Sequence, residues 1–370
     1  MTTTTETPEF NGNHSNGNSN GTSNGNPSKE SPRGILLVSV PRTASNLLVR
    51  VLNIHNQPHV VTNQRAGYFF YEAYMLAARE LMKPADQWTE SEKSQVRDAY
   101  QAALDRLEEM RAQAQREGKV AFAKEHAFWT VDPEAMYNQD DSTTGDSSKS
   151  QQERNSSSLD LTFPPAYGDK QTLTFSRNNR TFFPDAYLVT WRLAFIIRHP
   201  ALAWPSMYRA MRKMVDLQIL DEDGVRGASM DNMSLTWTRK LHDWCLEKGS
   251  GVPLVMDAHD VIHSPGAVLK FCEMAGLDKN AVQFEWSATV ADPKEGWQQG
   301  MEAQAARIML STLEASTGLV KGKAPATVDV KAEAEKWREE FGEEAAGLLE
   351  KAVWDAMPDY EYLRERRVQA

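Results

Sequence analysis

Residues 34–48 read GILLVSVPRTASNLL, and the order of residue types in this stretch decides the fold class. Ile35, Leu36, Leu37 and Val38 follow one another without polar alternation, the pattern of a strand covered on both faces. Pro41 ends it, because proline cannot donate to a ladder. Arg42, Thr43, Ala44, Ser45 and Asn46 come next. Leu47, Leu48, Val51 and Leu52 then form one apolar helical face, with Ser45 or Asn46 the expected cap of a helix beginning near Leu47. The first amides of such a helix have no intrahelical partner and are partly positive. With Arg42 and the hydroxyls of Thr43 and Ser45, they suit an anion. A plain strand–turn–helix unit without a ligand shares the pattern. No Gly-x-x-x-x-Gly-Lys-Ser/Thr run occurs here, which disfavours an ordinary ATPase or GTPase.

Two further segments have the same build. Phe195, Ile196 and Ile197 read as a short buried strand, followed by Arg198-His199-Pro200 and a helical stretch through Trp204, Met207 and Tyr208. Arg198 falls at a strand's carboxyl end, where ligands collect in open α/β sheets. Ser206, in the helix, is able to turn back towards the same anion. Val120, Ala121 and Phe122 predict another strand, ending in Lys124-Glu125-His126. Residues two apart on a strand point the same way, so Lys124 and His126 face one side and Glu125 the other. A base and a cation aimed into one crevice form a proton-transfer and charge-stabilising pair. A solvated Lys–Glu pair beside a packed histidine is the competing reading.

Together the three segments resemble the sulfotransferases that use 3′-phosphoadenosine-5′-phosphosulfate (PAPS). Ile196-Ile197-Arg198-His199-Pro200, preceded by Phe183-Pro184-Asp185, looks particularly like the divergent fungal sulfotransferase-like proteins. Pro41-Arg42-Thr43-Ala44-Ser45-Asn46-Leu47 stands where that family has Pro-Lys/Arg-Ser-Gly-Thr/Ser-Thr/Asn-Trp. Lys124-Glu125-His126 matches its Lys-x-His, and Arg198 with Ser206 matches its 3′-phosphate pair in type, spacing and order. The resemblance covers roughly residues 33 to 290. It implies a P-loop NTPase-like sulfotransferase fold, a parallel α/β sheet with helices on both faces. It also implies sulfuryl transfer from PAPS to a hydroxyl or phenol of a small, apolar or aromatic molecule. In that scheme His126 is the base, and Arg42 and Lys124 neutralise charge on the bridging oxygen. Thr43, Ala44, Ser45 and Asn46 hold the 5′-phosphate, Arg198 and Ser206 hold the 3′-phosphate, and no metal is needed. Leu47 replaces the family's tryptophan. Ala44 replaces its loop glycine, which requires a negative φ there. Lys321-Gly322-Lys323 is a poor match to the family's later Arg-Lys-Gly element. An ATP-dependent small-molecule kinase of the same broad fold and a non-catalytic PAP-binding or scaffolding protein are the alternatives.

The remaining sequence sets bounds. Residues 1–32 are almost wholly Thr, Asn, Gly, Ser and Pro, the composition of a disordered tail without a signal-peptide core. A single domain is expected over 33–370, with a flexible insertion at about 138–180, either a lid or a solvated loop. Cys245 and Cys272 are the only cysteines, which fits a reducing compartment. No membrane-spanning run is visible, and the absence of a Golgi-type anchor implies a cytoplasmic enzyme. Lys plus Arg number 41 against 51 Asp plus Glu, a net charge of −10, which disfavours nucleic acid as a partner. Tyr68-Phe69-Phe70-Tyr71 and Trp129 are either acceptor-pocket or core aromatics. Helices are expected over 68–82, 90–117, 234–248, 265–276 and 329–357, and a strand over 252–257.

Overall fold

The apolar runs form a five-stranded, all-parallel sheet of order β2-β3-β1-β4-β5 in a computed structural model of the chain. The strands are β1 (Gly34–Ser39), β2 (Val60–Val61), β3 (Val120–His126), β4 (Trp191–Ile197) and β5 (Leu254–Asp257). The structure describes residues 34–137, 154, 156–225, 227, 233–249, 251–288 and 301–370. The tail expected at 1–32 therefore lies outside the described residues.

Successive residues of each strand enter opposite cores, which explains the missing polar alternation. Leu36, Val38, Ala123, Phe195 and Ile197 join one core with Tyr100, Leu104, Trp204 and Trp244. Ile35, Leu37, Phe122, Ala194 and Ile196 join the other with Leu48, Val51, Val268 and Phe271. The Glu90–Arg116 and Pro200–Asp216 helices thus cover one face, and the Ser45–Val51 and Pro265–Ala275 helices the other. The first of these is opened by a reciprocal cap. Thr89 Oγ1 accepts from Glu92 N–H, and Glu92 Oε2 accepts from Thr89 N–H at 2.7 Å.

The chain runs outward from β1 to β2, returns to β3 beside β1, then crosses to β4 and β5 on the other side. β1 is therefore the topological switch point, and a crevice opens at its carboxyl end. Register places Leu37 beside Lys124 and Ser39 beside His126. Ile197 lies beside Asp257 on the other flank.

Several expected boundaries move. The 68–82 helix is limited to Tyr71–Ala77, followed by a short 3-10 turn at Glu80–Met82. The 329–357 segment is two helices, Val330–Phe341 and Glu343–Glu365, separated by Gly342 at φ 83°. Of the insertion expected at about 138–180, residues 138–153 lie outside the described residues. From 156 onward the chain packs, with Leu159, Leu161, Phe163, Leu173 and Phe175 all buried. Among the described residues, no helix is long and apolar enough to cross a membrane.

Candidate active site

The carboxyl ends of β1, β3, β4 and β5 border a cleft of about 300 Å³. It is lined by Arg42, Ala44, Ser45, Asn46, Leu47, Tyr68, His126, Arg198 and Ser206, among others. Residues from three separate segments of sequence thus meet in one place. Thr43 and Lys124 are fully buried and do not line it.

The loop after β1 departs from expectation at three positions. The helix begins at Ser45, not near Leu47. Its N-cap is Ala44, with no side-chain capping bond, so neither Ser45 nor Asn46 caps it. Ala44 adopts φ 69°, ψ 24°, so the negative φ expected for alanine is not found. Alanine here bears a left-handed conformation usually left to glycine. Arg42 is also left-handed, at φ 66°. The Thr43 hydroxyl donates to Val40 O at 2.7 Å and closes the turn instead of facing the cleft.

Arg42 and Arg198 form the charged floor. Arg42 Nε donates to Ser206 Oγ at 2.9 Å, and its Nη1 to Met309 O. Arg198 Nη1 donates to Arg42 O at 3.0 Å, and its Nη2 to Lys323 O at 2.9 Å. Neither guanidinium forms a carboxylate ion pair among the described residues. Burial lowers the Arg198 pKa to about 10, and the nearby Arg42 charge adds to the effect. Burial likewise lowers that of Arg42. Two adjacent, partly desolvated cations without a paired anion make a strong anion site.

Across the cleft, alternation along β3 puts Lys124 and His126 on one face and Glu125 on the other. The Ser39 hydroxyl lies 3.2 Å from Glu125 O and 2.9 Å from His126 Nδ1. When it donates its one hydrogen to the carbonyl, its oxygen accepts from Nδ1–H and the lone pair of the ring is on Nε2. Burial, and then the Lys124 charge, holds the His126 pKa well below the usual histidine range, so the ring is neutral and able to accept a proton. It packs against Trp129 at 4.3 Å and Tyr68 at 5.0 Å between ring centroids.

Lys124 lies beneath the loop. Its ammonium donates to Asn46 Oδ1 and sits 4.0 Å from the Tyr68 ring centroid. Burial pulls its pKa down to about 7. Glu125 is buried on the opposite face and pushed up to about 8, again by burial, although Phe69 N–H donates to its Oε1 at 2.6 Å.

The aromatic run divides. Tyr68 lines the cleft, whereas Phe69 and Phe70 are core residues.

Sequence reasoning missed Ser39, whose only signal is a hydroxyl closing an apolar run. It also undervalued residues 316–324. Ser316, Gly318, Val320, Gly322 and Lys323 line the cleft, and the following Ala324 carbonyl meets His259 Nδ1 at 3.2 Å and His263 Nε2 at 2.7 Å. The weak Lys321-Gly322-Lys323 match therefore reaches the site, and Met309 brings in the Met301–Ala315 helix.

No protein-family model matches the chain, and no solved structure matches it. Curated relatives do. "Sulfotransferase ppzF" of Metarhizium rileyi is 31% identical over 365 residues, covering 92% of this chain and 97% of the relative. "Sulfotransferase ppzF" of Metarhizium majus is 32% identical over 354 residues, covering 90% and 96%. With its parallel α/β sheet and this near-complete coverage, the chain belongs to the family of these divergent fungal sulfotransferases.

Proposed function

We propose that the cleft binds PAPS and that the protein transfers its sulfuryl group to the hydroxyl or phenol of a small molecule. The observation that carries this reading is the Arg42–Arg198 pair, two partly desolvated guanidiniums on adjacent strand ends, neither of them in a carboxylate ion pair among the described residues. A donor with phosphates at both ends of one ribose supplies anions to both sides of such a floor. Arg198 and Ser206 would hold the 3′-phosphate, and Arg42 with the amides of Ala44, Ser45 and Asn46 the 5′-phosphosulfate. The Thr43 side chain is committed to Val40, so its part is structural.

His126 would take the acceptor's proton at Nε2 while the acceptor oxygen forms its bond to sulfur. The bond from sulfur to the bridging oxygen breaks, and PAP leaves with that electron pair. Arg42 would meet the charge on the bridging oxygen directly. Lys124, set beneath Asn46, would contribute its charge through the loop. Positioning and fixed charge carry such an in-line transfer. Tyr68, which lines the cleft beside His126, favours an apolar or aromatic acceptor, and Trp129 packs behind the His126 ring as a core residue.

Calorimetry with PAP tests the donor assignment. Wild type is expected to bind PAP and not ATP–Mg²⁺, and Arg198→Ala to weaken PAP binding at least tenfold while keeping its melting temperature. Equal PAP affinity in the two proteins would refute it.

A further inference from the structure

The Asn63–Phe70 loop is more heavily constrained than its position between elements requires. Ala66, Gly67 and Tyr68 have φ of 55°, 136° and 60°, three consecutive residues in the left-handed region. Such strain persists only where surroundings over-determine the backbone. Here they do. Asn63 Oδ1 accepts from Gly67 N–H at 2.7 Å, and Asn63 Nδ2 donates to Gly67 O at 2.9 Å. Tyr68 N–H donates to Lys124 O at 2.7 Å, and Glu125 takes the next amide, that of Phe69.

All of this fixes one side chain. The Tyr68 ring lies 4.0 Å from the Lys124 ammonium and 5.0 Å from the His126 ring. Its hydroxyl is hydrogen-bonded to Ser45 and Asn46, and Asn46 also binds the Lys124 ammonium. Tyr68 thereby touches both the base and the cation of strand β3, beside the direct bond from Lys124 to Asn46 in the loop after β1. The ammonium has no carboxylate ion pair among the described residues, so the ring face and the Asn46 amide replace its lost water. A desolvated cation over a ring face is held by the ring quadrupole.

We propose that Tyr68 is a positioning residue for sulfuryl transfer, holding the Lys124 ammonium beneath the phosphate loop with its ring face. This rests on the PAPS reading above, and its test separates the two. In the full-length chain, Tyr68 is replaced by Leu, by Phe and by increasingly fluorinated phenylalanines, which keep the ring's size while removing its negative face.

The first readout is Lys124 methylation by formaldehyde and borohydride, followed by peptide mass spectrometry, with no ligand present. Labelling is expected to stay slow with Tyr or Phe and to rise at least tenfold with Leu or the most fluorinated ring. Equal labelling across the series, or Phe labelling as fast as Leu, would overturn the proposal. Should the Leu variant not fold, the fluorinated series decides alone. The second readout is hydrolysis of bound PAPS to PAP and sulfate. Its rate is expected to fall at least tenfold from the Phe to the most fluorinated variant, with PAP affinity unchanged within threefold. A constant rate, or affinity falling in step, would overturn the positioning role. Failure of the wild type to bind PAP would defeat the functional reading while leaving the labelling result intact.

Discussion

Glu125→Gln isolates the cost of the buried carboxyl behind the candidate base. Glu125 is 1% exposed, and burial raises its pKa from 4.5 to about 8. Between those values the folded chain keeps a proton that the unfolded chain releases. The folded state binds the extra proton, so stability falls as pH rises, by about 1.4 kcal/mol per pH unit for one group. From pH 5 to 6.5 the loss is about 2 kcal/mol. The lowered Lys124 pKa of about 7 adds little slope there, because that amine is protonated in both states. Glutamine does not titrate, and its oxygen is able to keep accepting from Phe69 N–H. Urea unfolding followed by tryptophan fluorescence should therefore show the variant gaining about 2 kcal/mol on wild type between pH 5 and 6.5. Parallel stability curves, or a variant that loses ground as pH rises, would mean that the amide hydrogen bonds outweigh burial and keep Glu125 ionised.

Further outcomes follow from the same geometry. Ala44→Gly relieves a left-handed alanine at φ 69°, and after the extra chain entropy of glycine it should stabilise the fold by about 0.5–1 kcal/mol in urea unfolding. A destabilised variant would contradict the strain. Gly67→Ala should cost about 3 kcal/mol or more, because its Cβ would lie 2.1 Å from Lys124 O on a backbone at φ 136°. Near-wild-type unfolding would mean that the loop does not sit on β3 as described. The pH profile of turnover should have its acid limb below 6.5, where the depressed His126 protonates, and should decline above about 7 as Lys124 loses its charge. Activity that rises through pH 8 would speak against an ammonium at Lys124.

Much of the scaffold was legible because it depends on local pattern. The unalternated run Ile35–Val38 reads as a strand buried on both faces and is one, and the period of two along β3 sets Lys124 and His126 opposite Glu125. The spacing of Arg198 and Ser206 carried both to one cleft. What escaped depends on contacts distant in sequence. The Met309 and Lys323 carbonyls bind Arg42 and Arg198, and a carbonyl leaves no mark in the residue string. Ala44 is left-handed because of what surrounds it, and alanine does not announce that. Solvent access is equally silent. Lys124 sits at the expected place on its strand, yet Asn46 and Tyr68 cover it. The helix break at Gly342 did have a signal, a glycine inside an amphipathic run.

Sulfuryl transfer itself decides whether the cleft works as proposed. Full-length protein is incubated with sulfur-labelled PAPS and a mixed set of phenols and alcohols, and products are read by mass spectrometry. The wild type should yield an organic sulfate ester together with PAP, and His126→Ala should do so at a rate lower by roughly 10²–10⁴. No sulfate ester from protein that binds PAP, or equal rates from the two proteins, would contradict the proposed transfer.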